Sequence, residues 1–122
     1  MIVVDDDASM RRALRTQLQV LGFNELDFQS AEEFLNGNYP ILDACLLLDI
    51  YLPEMTGIEL CRCLDASGRN LPTVLMSARD DRQTRQMMRE AHPIAILFKP
   101  FDEKNLLRAI RKALRSRPKL LH

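Results

Sequence analysis

Short apolar runs alternate with helix-like patterns along the whole chain. The five runs lie at 2–4, 26–28, 44–49, 72–76 and 94–98. After each run, apolar side chains recur at intervals of three or four residues, the spacing that predicts an amphipathic helix. Strict alternation of strand and helix predicts a parallel sheet covered by helices on both faces. We therefore predict an α/β fold with a five-stranded, doubly wound parallel sheet in the order 2-1-3-4-5.

The run at 44–49 is the one around which the rest of the chain is arranged. It is apolar until Asp49, and a turn containing Pro53 follows. An unbroken apolar run is typical of a strand that is buried on both faces. Ligands bind beyond the carboxyl ends of strands in open α/β sheets, so Asp49 is a candidate functional residue.

Capping residues indicate where several helices begin. Ser30 and Thr56 each precede a Glu by three residues, which is the capping-box pattern. Asp80 or Asp81 is a candidate cap for the fourth helix, and Asp102 for the fifth. The apolar spacing predicts these buried side chains on the third and fifth helices: Ile58, Cys61, Leu64, Leu106, Leu107, Ile110 and Leu114.

Composition narrows the class of protein. The chain has 122 residues, 47% of them hydrophobic, which suits one domain, and it lacks the run of ~20 apolar residues that spans a membrane. Lys+Arg and Asp+Glu both number 17, so no net charge recruits nucleic acid. No signal segment precedes the first strand, and the three cysteines suit neither a disulfide framework nor a zinc site. We expect a cytoplasmic domain that binds neither membrane nor nucleic acid directly.

Polar residues follow four of the predicted strands. Asp5 and Asp6 follow strand one, Asp49 ends strand three, Ser77 follows strand four and Lys99 follows strand five. Parallel strands bring their carboxyl ends to one edge, and the predicted order makes strands one and three neighbours. We therefore expect the strand-one carboxylates to meet Asp49 at this edge.

Crowded carboxylates at this edge need a counter-charge. Two unit charges ~4 Å apart repel by about 4 kcal/mol at an effective dielectric constant near 20, so the cluster must take up protons or bind a cation. Oxygen ligands with a loop carbonyl nearby favour Mg²⁺. Asp49 is then suited to attack a phosphoryl group, while Ser77 and Lys99 hold its oxygens.

Four motifs carry a resemblance to a known family. They are Val3-Val4-Asp5-Asp6, Leu48-Asp49-Ile50-Tyr51-Leu52-Pro53 with Met55 and Gly57, Ser77-Ala78, and Lys99-Pro100-Phe101. In this order and spacing, they make the chain resemble the receiver domains of two-component response regulators over residues 2 to about 115. The resemblance implies a flavodoxin-like receiver fold at 1–115, with the start of a C-terminal linker or tail at 116–122.

The resemblance also implies roles at the acidic edge. Asp49 is the phosphoacceptor; Asp6 and Asp49 bind Mg²⁺ directly, together with the backbone carbonyl of Tyr51, and Asp5 acts mainly through a metal-bound water. Because three Asp residues stand in a row, these assignments carry a register uncertainty of one residue. Asp7 is expected to be a helix cap or a solvated residue.

The remaining implications concern the switch and its partners. Ser77 is the switch hydroxyl, Lys99 contacts the phosphoryl group, and the Lys99-Pro100 bond is usually cis in the family. Such domains catalyse only their own phosphorylation and dephosphorylation, with a sensor histidine kinase or phosphotransfer protein as donor. The resemblance allows a homodimer formed on phosphorylation. The basic tail containing Pro118 indicates an output domain outside this chain, most often a helix-turn-helix domain of a transcription factor.

Alternative interpretations remain open from the sequence. Haloacid-dehalogenase phosphatases and phosphotransferases also use an Mg²⁺-dependent Asp after a strand, but they carry a second Asp at the position that Tyr51 occupies here. A receiver that works without phosphorylation is a third interpretation. A simpler interpretation of Ser77 is that it caps the following turn, and of Lys99 that it forms an ordinary salt bridge with one Asp, which is compatible with the functional role.

Two departures from the family pattern concern signal output. His92-Pro93 stands where receiver domains usually have Gly-Ala, and Ile96 replaces the aromatic residue three positions before the Lys. Without that aromatic, coupling between Asp49 and the face formed by helix four, strand five and helix five is predicted to depend on backbone movement and Ser77.

Overall fold

A computed structural model of the protein describes residues 1–37, 44–69 and 71–116. Its strands are β1 (Ile2–Val4), β2 (Leu26–Phe28), β3 (Leu46–Asp49), β4 (Thr73–Ser77) and β5 (Ala95–Phe98). Its helices are α1 (Ala8–Val20), α2 (Ala31–Asn36), α3 (Gly57–Ala66), α4 (Arg82–Glu90) and α5 (Glu103–Arg115). All strands pair in parallel in the order β2-β1-β3-β4-β5, so the predicted α/β fold and strand order are confirmed.

The core lies on both faces of the sheet. Alternate strand residues such as Val4 and Leu48 pack against α2, α3 and α4, whereas Val3 and Leu47 pack against α1 and α5. Every residue of β3 is buried. Burying an aliphatic side chain is worth about 1.5–3 kcal/mol, so this strand holds its terminal residue, Asp49, in a firmly packed setting.

Side-chain caps fix where the helices begin. Asp7 caps α1 by accepting hydrogen bonds from the backbone N–H groups of Ser9 and Met10. Thr56 forms the predicted capping box with Glu59 at the start of α3. Asp81, not Asp80, caps α4, and Asp102 caps α5. The interpretation of Asp7 as a helix cap is therefore confirmed.

The buried faces of α3 and α5 differ from the sequence prediction. Leu60 and Leu64 are the buried leucines of α3, and Ile58 and Cys61 are only partly buried. In a helix with 3.6 residues per turn, side chains three positions apart point about 60° away from each other, and those four apart about 40°. Positions four apart therefore define this face better. On α5, the predicted residues Leu107 and Leu114 are only partly buried. The buried positions of α5 include two alanines and are Leu106, Ala109, Ile110 and Ala113.

The C-terminal end of the predicted domain lies only partly within the described residues. Helix α5 ends at Arg115, and of the predicted tail only Ser116 belongs to the described residues, since 117–122 lie outside them. Among the helices that the structure describes, none has the length and apolar character to cross a membrane.

Candidate functional site

Three carboxylates meet at the carboxyl edge of the sheet. Val4 pairs with Leu48, so Asp5 and Asp6, which follow β1, lie beside Asp49 at the end of β3. Each of the three offers an oxygen, and these oxygens lie within 4.8 Å of one another. Asp5 and Asp49 are buried, whereas Asp6 is exposed. The predicted meeting of strand-one carboxylates with Asp49 is thus observed.

Lys99 bridges the two buried carboxylates. Its Nζ atom lies 2.6 Å from Asp5 Oδ2 and 3.0 Å from Asp49 Oδ2. Burial lowers the pKa of the Lys99 ammonium, but the bonds to the two carboxylates outweigh it, so the pKa rises above its usual value. The ammonium is therefore charged at neutral pH. The peptide bond between Lys99 and Pro100 is cis, as the resemblance implied.

The Asp49 carboxylate is costly to ionise in this setting. Burial raises its pKa above the usual value, and the nearby Asp5 charge raises it further. Hydrogen bonds from the Tyr51 N–H, 3.0 Å from Oδ1, and from Lys99 oppose this rise without cancelling it. One ammonium against three carboxylates leaves negative charge at the cluster.

The chemistry of the cluster fits a divalent cation. The candidate side-chain ligands are all carboxylate oxygens, the donor type that Mg²⁺ and Ca²⁺ prefer. Asp6 is exposed, which gives an ion access from solvent. The positive charge of a bound cation would also oppose the rise in the Asp49 pKa that burial causes. The three carboxylates of the predicted metal set, Asp5, Asp6 and Asp49, therefore lie close enough together to hold one ion, and the part of the Tyr51 carbonyl stays a prediction.

Ser77 lies at the same edge with its hydroxyl turned into the loop that follows β4. The residue is fully buried. Its Oγ accepts a hydrogen bond from the Arg79 N–H at 2.9 Å and donates one to the Arg79 carbonyl at 2.9 Å. The capping of the following turn, one of the two interpretations that the sequence left open, is therefore present in this structure. The turn contact does not conflict with a second role, because a hydroxyl can exchange partners.

The side chain of Tyr51 takes part in the site in a way that sequence reasoning missed. Its hydroxyl lies 2.5 Å from Oγ1 of Thr84, a fully buried residue of α4. The guanidinium of Arg79 stacks over its ring, 4.9 Å from the centroid. The signal in the sequence is weak: Thr84 stands at helical spacing from Met87 and Met88 in an otherwise polar stretch.

The backbone around Gly57, the glycine of the second motif, leaves no room for a side chain. A Cβ atom built on Gly57 would lie 2.5 Å from the Asp49 carbonyl oxygen and 2.7 Å from the Ile50 Cα atom. Both are backbone atoms, so neither can turn aside as a side chain can. Glycine therefore lets α3 begin directly against the strand end that carries Asp49.

We expect Gly57→Ala to lower the free energy of unfolding by about 2–3 kcal/mol, because the added methyl group overpacks a site bounded by backbone. The measurement is urea denaturation. Gly68→Ala is the control: Gly68 has φ +74° and no atom within 4 Å of a built Cβ, so only the left-handed backbone cost of about 1 kcal/mol applies. Equal losses in the two variants would contradict the close approach at Gly57.

Comparison with known proteins defines the class. Residues 1–111 match the response regulator receiver domain family. The chain therefore belongs to this family, whose members act in two-component signalling, and the predicted resemblance is confirmed.

Two curated relatives illustrate the similarity. The chain is 35% identical over 116 residues to the response regulator protein TmoT of Ectopseudomonas mendocina, covering 95% of this chain and 53% of that protein. It is 31% identical over 112 residues to the transcriptional regulatory protein TdiR of Thauera aromatica, covering 92% and 49%. The chain thus spans about half the length of these relatives.

Solved structures agree with the fold. The response regulator StyR matches with a TM-score of 0.83 and 41% identity, over 93% of this chain and 58% of that one. FixJ-N matches with a TM-score of 0.86 and 28% identity, over 98% and 95%. The BeF3-activated receiver domain of DrrB matches with a TM-score of 0.81 and 28% identity, over 93% and 95%.

Proposed function

We propose that this domain is a signalling switch that accepts a phosphoryl group on Asp49 and thereby changes its interaction with a partner or an output domain. The observation that carries the proposal is the constellation at the sheet edge. Asp49 is buried beside Asp5 and Asp6, its Oδ1 accepts the Tyr51 N–H, and its Oδ2 accepts from Lys99. Such a carboxylate is oriented, partly desolvated and flanked by a fixed cation, the conditions that suit a nucleophile for phosphoryl transfer.

In the proposed reaction, one Asp49 carboxylate oxygen attacks phosphorus and an O–P bond forms. The bond between phosphorus and the donor breaks, and its electron pair leaves with the donor. For a phosphohistidine donor, the leaving imidazole nitrogen keeps the pair; for acetyl phosphate, acetate leaves. The product is an acyl phosphate on Asp49.

The residues around Asp49 would stabilise the negative charge of the phosphoryl oxygens. The Lys99 ammonium already donates to Asp49 at 3.0 Å, so it is placed to donate to an oxygen of a phosphoryl group attached there. Asp6, Asp49 and the Tyr51 carbonyl would hold Mg²⁺ directly, and Asp5 would act mainly through a metal-bound water; the ion would supply positive charge that neutralises carboxylate and phosphoryl oxygens. The buried faces of β1 and β3 exclude water from one side of the site.

Ser77 is the group that we propose to respond to phosphorylation. A hydroxyl has one proton to donate, and Ser77 gives it to the Arg79 carbonyl here. Donation to a phosphoryl oxygen therefore requires that this bond be given up. The added charge of the phosphoryl group, about −1.5 to −2 at neutral pH, favours that exchange. Phosphorylation thus shifts a pre-existing equilibrium between two positions of the β4–α4 loop.

Partners and output belong to the same proposal. We propose a sensor histidine kinase or phosphotransfer protein as donor, a cytoplasmic location, a homodimer formed on phosphorylation, and an output domain outside this chain. Relatives named as a response regulator and as a transcriptional regulatory protein support a role in transcription. Since the chain spans about half of each, the output activity would reside in the other part of such a protein.

Incubation with acetyl phosphate and Mg²⁺ tests the proposal against the alternative of a phosphatase or phosphotransferase. A switch that catalyses only its own phosphorylation and dephosphorylation is expected to accumulate one phosphoryl group per chain, labile in hydroxylamine as an acyl phosphate is. Omission of Mg²⁺ by chelation with EDTA should prevent the accumulation. Sustained release of phosphate without accumulation would favour an enzyme, and the absence of both would contradict the proposal.

A further inference from the structure

We propose that the side chain of Tyr51 couples the Asp49 site to helix α4, the task that Ile96 cannot perform because it has no aromatic ring or hydroxyl. This inference rests on the proposed function, since the signal that it transmits is phosphorylation of Asp49. In this coupling, the loop after β3 and the β4–α4 loop both contact the first turn of α4.

Tyr51 is joined to the site at one end and to α4 at the other. Its backbone N–H donates to Asp49 Oδ1 at 3.0 Å, and its side-chain hydroxyl lies 2.5 Å from Thr84 Oγ1. Thr84 has no exposed surface. A buried hydroxyl without a hydrogen-bond partner is destabilising, so this contact holds the first turn of α4 against the loop that follows β3.

Arg79 ties the same helix turn to the Tyr51 ring. Its guanidinium lies 4.9 Å from the ring centroid, and its Nη2 atom donates to Asp81 Oδ2 at 2.7 Å. Asp81 is the cap of α4, because its Oδ1 accepts the Thr84 N–H at 2.7 Å. Arg79, Asp81, Thr84 and the Tyr51 ring therefore form one connected group, which we call the α4 tether.

Ser77 connects the α4 tether to phosphorylation. Its hydroxyl both accepts from and donates to the backbone of Arg79, which fixes that residue over Tyr51. When Ser77 donates its single proton to a phosphoryl oxygen instead, the Arg79 carbonyl loses its bond. The expected consequence is a looser Arg79 and a less protected first turn of α4.

The structure offers space for such a rearrangement. A groove of about 480 Å³ lies between α3 and α4, and Tyr51, Ile58 and Met87 are among its lining residues. Tyr51 borders this groove and is a partly buried side chain at the margin of the core, so the groove leaves open space on one side of it. At strand β5, the ring of Phe98 lies under Arg85 at 5.0 Å, a contact separate from the α4 tether.

Amide hydrogen exchange at Arg85, whose N–H donates to the Asp81 carbonyl at 3.0 Å in the first turn of α4, measures the tether directly. In the unmodified chain with Mg²⁺, beryllofluoride, a phosphoryl mimic, is expected to speed this exchange about fivefold, the effect of losing one hydrogen bond. In Thr84→Val, exchange should already be faster by about that factor, with little further response to beryllofluoride. Tyr51→Phe should give the same accelerated exchange, and Thr84→Ser, which keeps the hydroxyl, should behave as the unmodified chain.

Internal controls separate the tether from general loosening. The Asn105 N–H, capped by Asp102 at 2.8 Å at the start of α5, should exchange equally in all variants. Thr16→Val removes a hydroxyl that donates within α1, to the Arg12 carbonyl, and should leave Arg85 exchange unchanged.

Phosphoryl labelling of Asp49 from acetyl phosphate distinguishes the two proposals. We expect Thr84→Val to be labelled as fully as the unmodified chain, because Thr84 lies outside the acidic site. Normal labelling together with unchanged Arg85 exchange and an unchanged beryllofluoride response in Thr84→Val would overturn the tether alone. If the unmodified chain took up no label, the proposed function would fail and the coupling with it.

Discussion

Asp49→Asn is expected to reduce phosphoryl labelling by acetyl phosphate to background. The substitution replaces the attacking carboxylate by an amide that cannot form the acyl phosphate, while its size and its place at the end of β3 are preserved. The measurement is the incorporation of radiolabelled phosphoryl groups per chain in the presence of Mg²⁺. The variant should still fold, because burial raises the pKa of the Asp49 carboxyl group and makes its ionised form costly. The substitution removes that cost.

Asp7→Asn is the matched control for the loss of a carboxylate at this edge. Asp7 caps α1 through hydrogen bonds that an asparagine side chain can also accept, and it is not one of the three clustered carboxylates. We expect its labelling to equal that of the unmodified chain. Full labelling of Asp49→Asn, or equal losses in the two variants, would contradict Asp49 as the acceptor.

The sheet and its functional edge could be predicted because they depend on local pattern and topology. Apolar runs at 44–49 and 72–76 specify buried strands, and alternation with helices specifies parallel pairing. Once the strands are parallel, residues at their carboxyl ends must converge. The neighbouring positions of Asp5, Asp49 and Lys99 therefore follow from the order of the strands, even though Lys99 is 94 residues from Asp5.

The register within the Asp triplet could not be settled from the sequence alone. Asp5, Asp6 and Asp7 are chemically identical, and only the exact end of β1 decides which one is buried. In the structure Asp5 is buried against Lys99, Asp6 is exposed in the cluster, and Asp7 caps α1. A shift of one residue would exchange these three environments.

The Tyr51 side chain was beyond sequence reasoning for a different reason. Its partner Thr84 is 33 residues away on another element, and the contact depends on the path of the loop that leads to α3. Patterns of apolar residues report which face of a helix is buried but not which polar atom meets which. The same limit applies to Ser77, whose hydroxyl direction is set by the Arg79 backbone.

Lys99→Met is expected to lower the free energy of unfolding more than any other single substitution at the site. Methionine matches the length of the stem but lacks the ammonium, so Asp5, which has no exposed surface, and Asp49 lose their shared counter-charge. Leaving a buried charge without its partner costs about 3 kcal/mol. We expect a loss of that order in the free energy of unfolding by urea, measured with EDTA at pH 8.

The pH dependence of this loss identifies its electrostatic cause. The Asp49 pKa is already raised by burial, and removal of Lys99 takes away an interaction that lowers it. A carboxyl group with a raised folded-state pKa binds more protons when folded, so stability falls as pH rises from the ordinary aspartate range toward pH 8 and recovers as the group protonates. In the unmodified chain, Lys99 stays charged throughout this range, because its pKa is raised above the usual value of 10.5. Lys104→Met, on the exposed side of α5, should show no such trend. A loss for Lys99→Met that is identical at pH 5 and pH 8 would mean that packing of the lysine stem, not its charge, holds this edge of the sheet together.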